Sequence, residues 1–194
     1  MFSSRFSPST GRGFSLIELL LVLGVLAVLL VAAFVVYPQV RDRNRANTEV
    51  MNLAAIKTAV INVYASRGGN YTGLKNDVAN QARVVPATMN GGDYGPSVSL
   101  KSTWGQDVTI GAVSTQINVP SVVPGNRSFR IIYAQVPQSI CLGMITAASG
   151  NFFKITVNGV DLIASQDGVI GFSPQKAAEA CAAETNEQVA FYAR

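Results

Sequence analysis

Few residues in this sequence of 194 could carry out acid–base or covalent chemistry. There is no histidine, which excludes histidine-based acid–base catalysis, the Ser-His and Cys-His nucleophile pairs and most zinc sites. The two cysteines, Cys141 and Cys181, are too few for a four-thiolate metal centre, and they lack the C-x-x-C spacing of a redox pair. We therefore predict no catalytic residue, no metal site and no cofactor.

One carboxylate stands in an unusual setting. Glu18 is the only charged residue between Phe14 and Tyr37. An ionised carboxylate within so apolar a segment costs about 2–3 kcal/mol or more unless it is paired or protonated. We predict that Glu18 has a function. The alternative is a helix-start carboxylate at a membrane interface.

The element that carries Glu18 is an apolar helix. Leu19 to Tyr37 are nineteen residues without a charged or strongly polar side chain, roughly 28 Å as a helix and about the thickness of a bilayer's hydrocarbon core. This segment helps to explain why the sequence is 48% hydrophobic and only 13% charged. Because the run is apolar on all faces, we predict a membrane span rather than a buried core helix.

The apolar run is not typical of a secretory signal peptide. Such a signal has a shorter apolar stretch and ends in a small-residue cleavage site. Here the run is longer, and Pro38-Gln39-Val40-Arg41 follows it. We therefore expect the apolar segment to remain in the mature protein.

The residues before the span, 11–18 (GRGFSLIE), resemble the N-terminus of type IV prepilins and of the related pseudopilins. In that family a prepilin peptidase cuts after a glycine that precedes the apolar run, and it then methylates the new amine. The resemblance implies cleavage after Gly13, a new terminus at Phe14, and Glu18 as the glutamate five residues into the mature chain.

The resemblance also implies how these residues act in assembly. Cleavage leaves a cationic amine on Phe14, and methylation does not remove its charge. In the family, the glutamate of an incoming subunit is thought to meet the amine of its neighbour. Both charges would then be buried in an apolar filament core where each needs the other, and the pair would set the axial register.

The sequence predicts that the helix continues beyond the span. Between residues 44 and 66, apolar side chains recur at helical spacing with polar residues between them. Arg67-Gly68-Gly69 predicts the helix end, which gives a helix over 14–66 of roughly 80 Å, with Gly24 and Pro38 as points of bending or local melting. We predict four segments: a cleaved leader (1–13), a transmembrane and assembly helix (14–40), its amphipathic half (41–67) and a globular head (68–194).

The head alternates short β-rich runs with short helices. We predict an α+β fold in which the long helix packs on an antiparallel sheet. The predicted strands are 130–136, 152–157 and 189–193, with a weaker candidate at 107–110. The predicted helices are 74–85, 140–149 and 174–183, and residues 91–105 are predicted as a loop.

The cysteine pair predicts a disulfide in the C-terminal region. Cys141 and Cys181 are an even pair on the predicted exported side of a membrane anchor, and the alternative is two unrelated buried thiols. A bridge would close a loop of about forty residues and contribute about 4 kcal/mol. A late cysteine pair, a final strand and the Gly69-Asn70-Tyr71 turn resemble type IVb pilins.

The predicted function is that of a filament subunit. The resemblance implies adhesion, aggregation or mating contact, with other copies of the chain, prepilin peptidase and the inner-membrane assembly machinery as partners. A mild net charge of +4 without a basic cluster predicts no nucleic-acid partner. Two alternatives remain open: a pseudopilin or minor pilin of a secretion or DNA-uptake system, and a membrane-anchored periplasmic enzyme.

The predicted location is the inner membrane for the precursor, with a single span and a periplasmic head, followed by an extracellular pilus. Arg41, Arg43 and Arg45 follow the span and outnumber Arg5 and Arg12 before it. Counting basic residues alone would place the C-terminal side in the cytoplasm. The processing motif and the cysteine pair favour the opposite orientation, which we adopt.

Overall fold

A computed structural model describes residues 15–118, 122–166 and 169–194. Gly13 and Phe14, the two predicted processing residues, lie outside the described residues. The chain divides into two compact units, one ending at Val40 and the other running from Arg41 to Arg194.

Helix α1 is Leu16–Tyr64, and its apolar part lies in the first unit. Leu and Ala favour a helix, and the Val-rich stretches are accommodated because a helix satisfies every backbone hydrogen bond internally. The helix continues through Gly24 and Pro38. Every side chain from Leu16 to Val40 is exposed.

The second unit begins with the remainder of α1, which buries one face. Leu53, Ile56 and Val60 are fully buried, and Ala46 and Tyr64 are nearly so. Their spacing is that of one helical face against a core. A 3₁₀ turn, Ala65–Arg67, follows, and Gly68 ends the helix in the left-handed conformation with φ of 62°.

This face of the helix packs on a five-stranded antiparallel sheet with the strand order β1-β4-β9-β5-β6. Two further hairpins, β2-β3 and β7-β8, lie outside it. The strands are β1 Val108–Ala112, β2 Ile117–Asn118, β3 Val122–Val123, β4 Phe129–Pro137, β5 Lys154–Val157, β6 Val160–Asp161, β7 Ile163–Gln166, β8 Val169–Phe172 and β9 Thr185–Ala193. The remaining helices are α2 Asn76–Gln81, α3 Ala87–Asn90, α4 Gln138–Ala148 and α5 Pro174–Ala180.

The predicted α+β fold is confirmed, and the differences lie in short elements. The helix predicted over 74–85 is shorter, at Asn76–Gln81. The β2-β3 and β7-β8 hairpins, strand β6 and the short α3 helix were not predicted. Strand β4 is longer than predicted and contains Gln135 at a positive φ of 48°, and the register of its pairing with β9 is the same on both sides of this residue.

The predicted disulfide is confirmed as well. Cys141 of α4 is bonded to Cys181, the residue that caps α5, and both are buried. The bond joins residues 40 apart in the sequence and so ties α4 to the end of α5. Ser173 caps the start of α5 by accepting a hydrogen bond from the Lys176 N–H, with Pro174 at the first helical position.

Candidate assembly site and the buried acid of the head

Glu18 lies in the first turn of α1, and its side chain is exposed. Ser15 immediately precedes the helix, and its carbonyl accepts a hydrogen bond from the Leu19 N–H at 3.1 Å. Among the residues that the structure describes, no group hydrogen-bonds or ion-pairs with the Glu18 carboxylate. The positive end of the helix dipole favours an anion at this position.

The surface around Glu18 is apolar and uncovered. The large hydrophobic side chains between Leu16 and Val40 are 47% to 77% exposed. An 18-residue window of this helix has a mean hydropathy of 3.3 and no buried residue, and it is the one such helix in the described part of the chain. Water does not tolerate so large an apolar surface, so lipid or other protein must cover it.

A second acid of the same helix, Glu49, has the opposite environment. Its side chain is fully buried. Oε1 accepts a hydrogen bond from the Thr103 N–H at 2.6 Å, and Oε2 accepts one from the Tyr133 hydroxyl at 3.1 Å. The Asn52 amide donates to Oε2 at 3.2 Å. Hydrogen bonds to neutral donors therefore satisfy this carboxylate within the head.

Glu49 holds a tight loop against the helix. Thr103 lies in the turn 102–105, which the Gly105 N–H closes by donating to the Ser102 carbonyl at 2.8 Å. Trp104 of this turn donates from its indole to the Ala134 carbonyl at 3.3 Å, and its ring centroid lies 5.6 Å from that of Tyr133. The buried acid thus connects α1, the turn and strand β4.

Burial raises the pKa of Tyr133 well above its usual value of 10.0, and the nearby Glu49 carboxylate raises it further. The phenol is therefore held in its neutral form, in which it can donate a hydrogen bond to the carboxylate.

The apolar surroundings of Glu18 mark it in the sequence, whereas the role of Glu49 was not predicted. A signal was available, because Glu49 falls on the same helical face as the buried Ala46 and Leu53. Its partners could not be identified from spacing, since Thr103 and Tyr133 lie 54 and 84 positions away. In the described part of the chain, no group of three or more Asp, Glu or Cys residues is placed to hold a metal ion.

Two family models match this sequence. A model described as PilS N terminal matches residues 43–193, and one described as a prokaryotic N-terminal methylation motif matches residues 9–34. The methylation motif and the apolar helix define a class of proteins, the type IV pilins and their relatives. Within that class, the chain belongs to the PilS family and is a type IVb-like pilin.

Solved structures similar to this chain include three of pilins. The crystal structure of a type IVb pilin from Salmonella typhi has 20% identity and a TM-score of 0.47, with 73% of this chain and 96% of that one covered. TcpA, a type IV pilin from Vibrio cholerae El Tor biotype, has 18% identity and a TM-score of 0.48, with 79% of this chain and 99% of that one covered. The NMR structure of PilS, a type IVb pilin from Salmonella typhi, has 18% identity and a TM-score of 0.39, with 76% of this chain and 95% of that one covered.

No curated protein matched this chain in a sequence comparison. The family match decides against one alternative that the sequence left open, the membrane-anchored enzyme. Members of the pilin family are structural subunits and not enzymes, so the membrane-anchored enzyme is set aside.

Proposed function

We propose that this chain is the structural subunit of a type IV pilus, cleaved after Gly13 and N-methylated on Phe14 by prepilin peptidase. The methylation motif over residues 9–34 includes both positions and supports this processing. Because helix α1 begins at Leu16, the proposed cut lies just before the first helical turn. The leader 1–13 would then leave a mature chain made of an assembly helix, 14–40, its continuation, 41–67, and a head, 68–194.

The observation that carries the proposal is the uncovered apolar surface of α1. No side chain between Leu16 and Val40 is buried by the rest of the described chain. In the precursor, the hydrocarbon of the inner membrane would cover this surface. In the filament, the same helix of other copies would cover it, so that polymerisation exchanges lipid contacts for protein contacts.

Glu18 gives this exchange a defined register. Within a bundle of apolar helices, an ionised carboxylate needs a cation beside it. We assign that cation to the terminal amine of Phe14 in a neighbouring copy. A pair of this kind is possible only after cleavage, since the amine does not exist in the precursor.

The Cys141–Cys181 bond supports a head that folds outside the cytoplasm, since disulfides persist in oxidising compartments. We therefore place the precursor in the inner membrane with a periplasmic head, where the assembly machinery would take it up. The mature filament would be extracellular and would serve adhesion, aggregation or mating contact through the exposed surface of the head.

The experiment that tests this function is the recovery of filaments sheared from the cell surface. A pilus subunit should be the most abundant protein of the sheared fraction, and deletion of its gene should remove the filaments. A pseudopilin or minor pilin, the alternative within the same family, would be scarce in that fraction. If filaments of normal abundance remain without this chain, the proposal is wrong.

A further inference from the structure

A cleft of about 310 Å³ lies on the head, where the end of strand β9 meets the turn between α4 and β5. Two cations line it: Lys57, half-buried on α1, and Arg194, exposed directly after β9. The rest of its lining consists of Gly150, Asn151, Phe152, Phe153 and Ala193. None of these residues belongs to the assembly helix 14–40, so filament formation through that helix leaves the cleft unused.

Both cations are positioned by their neighbours. The Lys57 ammonium donates a hydrogen bond to the Asn151 carbonyl and lies 5.4 Å from the centroid of the Phe152 ring. The Arg194 guanidinium lies 5.7 Å from the centroid of the Phe153 ring. An aromatic ring attracts a cation but accepts few of its hydrogen bonds, so most N–H groups of the two side chains remain available to a ligand.

The segments that form the cleft contain no acid. Lys57 is the only charged residue between positions 50 and 66, and residues 138–153 and 188–193 contain no charged residue at all. In the described part of the chain, no acidic side chain forms an ion pair with either Lys57 or Arg194. The two cations therefore face the cleft without a carboxylate from its own walls.

The neighbouring strands do not supply the missing negative charge. Asp161 of β6 is already paired with Lys154, the first residue of β5, at 2.9 Å. A terminal carboxylate on Arg194 is offset by Arg130, which is exposed on the adjacent strand β4. The cleft and its surroundings therefore stay positively charged, which favours an anionic ligand.

The remaining lining favours a ligand with hydroxyl groups over an apolar one. Gly150 is exposed, and a Cβ placed on it would meet no atom within 4 Å, so the cleft is open above this residue. The exposed Asn151 amide can both donate to and accept from hydroxyl groups. Phe152 is only 4% exposed, so the cleft offers little apolar surface.

We propose that this cleft binds an acidic sugar, a pyranose ring that carries one carboxylate. The carboxylate accepts charge-assisted hydrogen bonds from the Lys57 ammonium and the Arg194 guanidinium, and the ring lies over Gly150 with its hydroxyls towards Asn151. A volume of about 310 Å³ is at the small end of ligand sites and suits one sugar ring rather than an extended chain. The inference rests on the proposed function as an adhesive pilus subunit and names the class of its ligand.

The test measures binding of the full-length chain in detergent to surfaces coated with alginate, a polymer of uronic acids. Dextran is the neutral sugar polymer for comparison, and poly-L-glutamate and dextran sulfate carry anions without a uronic acid. The chain should bind alginate at least about tenfold more tightly than each of the other three. Free methyl glucuronide should release the chain from alginate, whereas methyl glucoside, which lacks the carboxylate, should not.

Three variants probe the cleft itself. Lys57→Gln and Arg194→Gln should each weaken binding to alginate by at least about tenfold, because each removes a charge-assisted hydrogen bond. Gly150→Phe should weaken binding by a similar factor without any change of charge, because its side chain fills the open part of the cleft. Lys57→Arg keeps the charge and should bind within about threefold of the unchanged chain.

The matched control is Arg67→Gln. Arg67 also lies over an aromatic ring, 5.7 Å from the centroid of Tyr64, and it lines a second cleft of about 310 Å³ whose lining has this one cation. Its loss should change binding to alginate by less than about twofold, since one cation does not make the two-sided contact. Formation of the Cys141–Cys181 bond, seen on a non-reducing gel, reports whether each variant has folded.

Three outcomes overturn the site. Equal binding to poly-L-glutamate or dextran sulfate would indicate a general attraction for anions or an acidic peptide as the ligand. Normal binding in Gly150→Phe, or an equal loss in Arg67→Gln, would show that the cleft is not where the sugar binds. If a variant does not fold, the competition decides, and failure of methyl glucuronide to release the unchanged chain overturns the proposal. Failure of the proposed function would instead appear as absence of sheared filaments, which this binding measurement does not involve.

Discussion

Helix α1 carries two acids in opposite situations. Glu49 is buried in the head and satisfied by three neutral donors of the same chain. Glu18 is exposed on an apolar surface and has no partner among the described residues. The head is therefore complete as a single copy, whereas the apolar helix needs other molecules to cover its surface.

The carboxylates of Glu49 and Glu18 serve two different purposes. In the head, Glu49 fixes local geometry by connecting α1, the turn 102–105 and β4, and its removal should be felt as lost stability. In the apolar helix, Glu18 contributes nothing to the packing of its own copy, and its removal should be felt only on assembly. Variants of Glu49 should therefore lose stability, whereas variants of Glu18 should lose filament assembly.

The largest effect is expected for Glu18→Ala. Without the carboxylate, each subunit in a filament would bury the Phe14 amine without a partner, at a cost of about 3–5 kcal/mol. Sheared filaments should fall by at least about a hundredfold, while the precursor still inserts and its disulfide still forms. Ser15→Ala, which changes a neighbouring residue and no charge, is the control. Normal piliation in Glu18→Ala would contradict the proposed pair.

A smaller effect, on stability rather than assembly, is expected for Glu49→Ala. The change leaves the Thr103 N–H, the Tyr133 hydroxyl and the Asn52 amide without their acceptor inside the head. The free energy of unfolding of the full-length chain in detergent should fall by about 3 kcal/mol or more.

Urea unfolding followed by fluorescence of Trp104, the only tryptophan, measures this loss. Glu187→Gln, which changes an exposed acid of the same domain, should alter stability by less than about 0.5 kcal/mol. Equal stability of the Glu49 and Glu187 variants would show that the buried network does not hold the head together.

The smallest effect is an alkaline dependence that belongs to the head alone. Because the pKa of Tyr133 is raised above its unfolded value of 10.0, the folded head favours the neutral phenol. The resulting stability is fully present below about pH 10 and is lost as the pH rises beyond it, by up to about 1.4 kcal/mol per pH unit.

Tyr133→Phe should flatten this dependence while lowering stability at neutral pH, because Glu49 loses one donor. Tyr71, whose pKa burial also raises, should leave a weaker alkaline loss in that variant. Unfolding curves measured at pH values on both sides of 10 make the comparison. An unchanged slope in Tyr133→Phe would assign the alkaline loss to other groups.

Much of the architecture could be predicted from the sequence because its signals are local. The end of α1 follows from Arg67-Gly68-Gly69, and α5 follows from Ser173-Pro174. The β7-β8 hairpin was missed although Asp167-Gly168, a dipeptide typical of two-residue hairpin turns, separates its strands in the sequence.

The two acids were not equally predictable. The unusual setting of Glu18 can be recognised from its immediate neighbours in the sequence, which are apolar. The role of Glu49 depends on a turn and a strand far along the chain, which only the folded sheet brings to it. The position of Glu49 on the buried face of α1 indicated burial, but its distant partners leave no local signal, so this network was not predicted.

We propose that a newly made amine at Phe14 completes what the apolar helix lacks. Mass analysis of the N-terminal peptide of protein from sheared filaments tests it most directly. We predict a chain that begins at Phe14 and carries one methyl group on its terminal nitrogen. A filament protein that still begins at Met1, or that begins at Phe14 with its amine blocked in an uncharged form, would contradict the account.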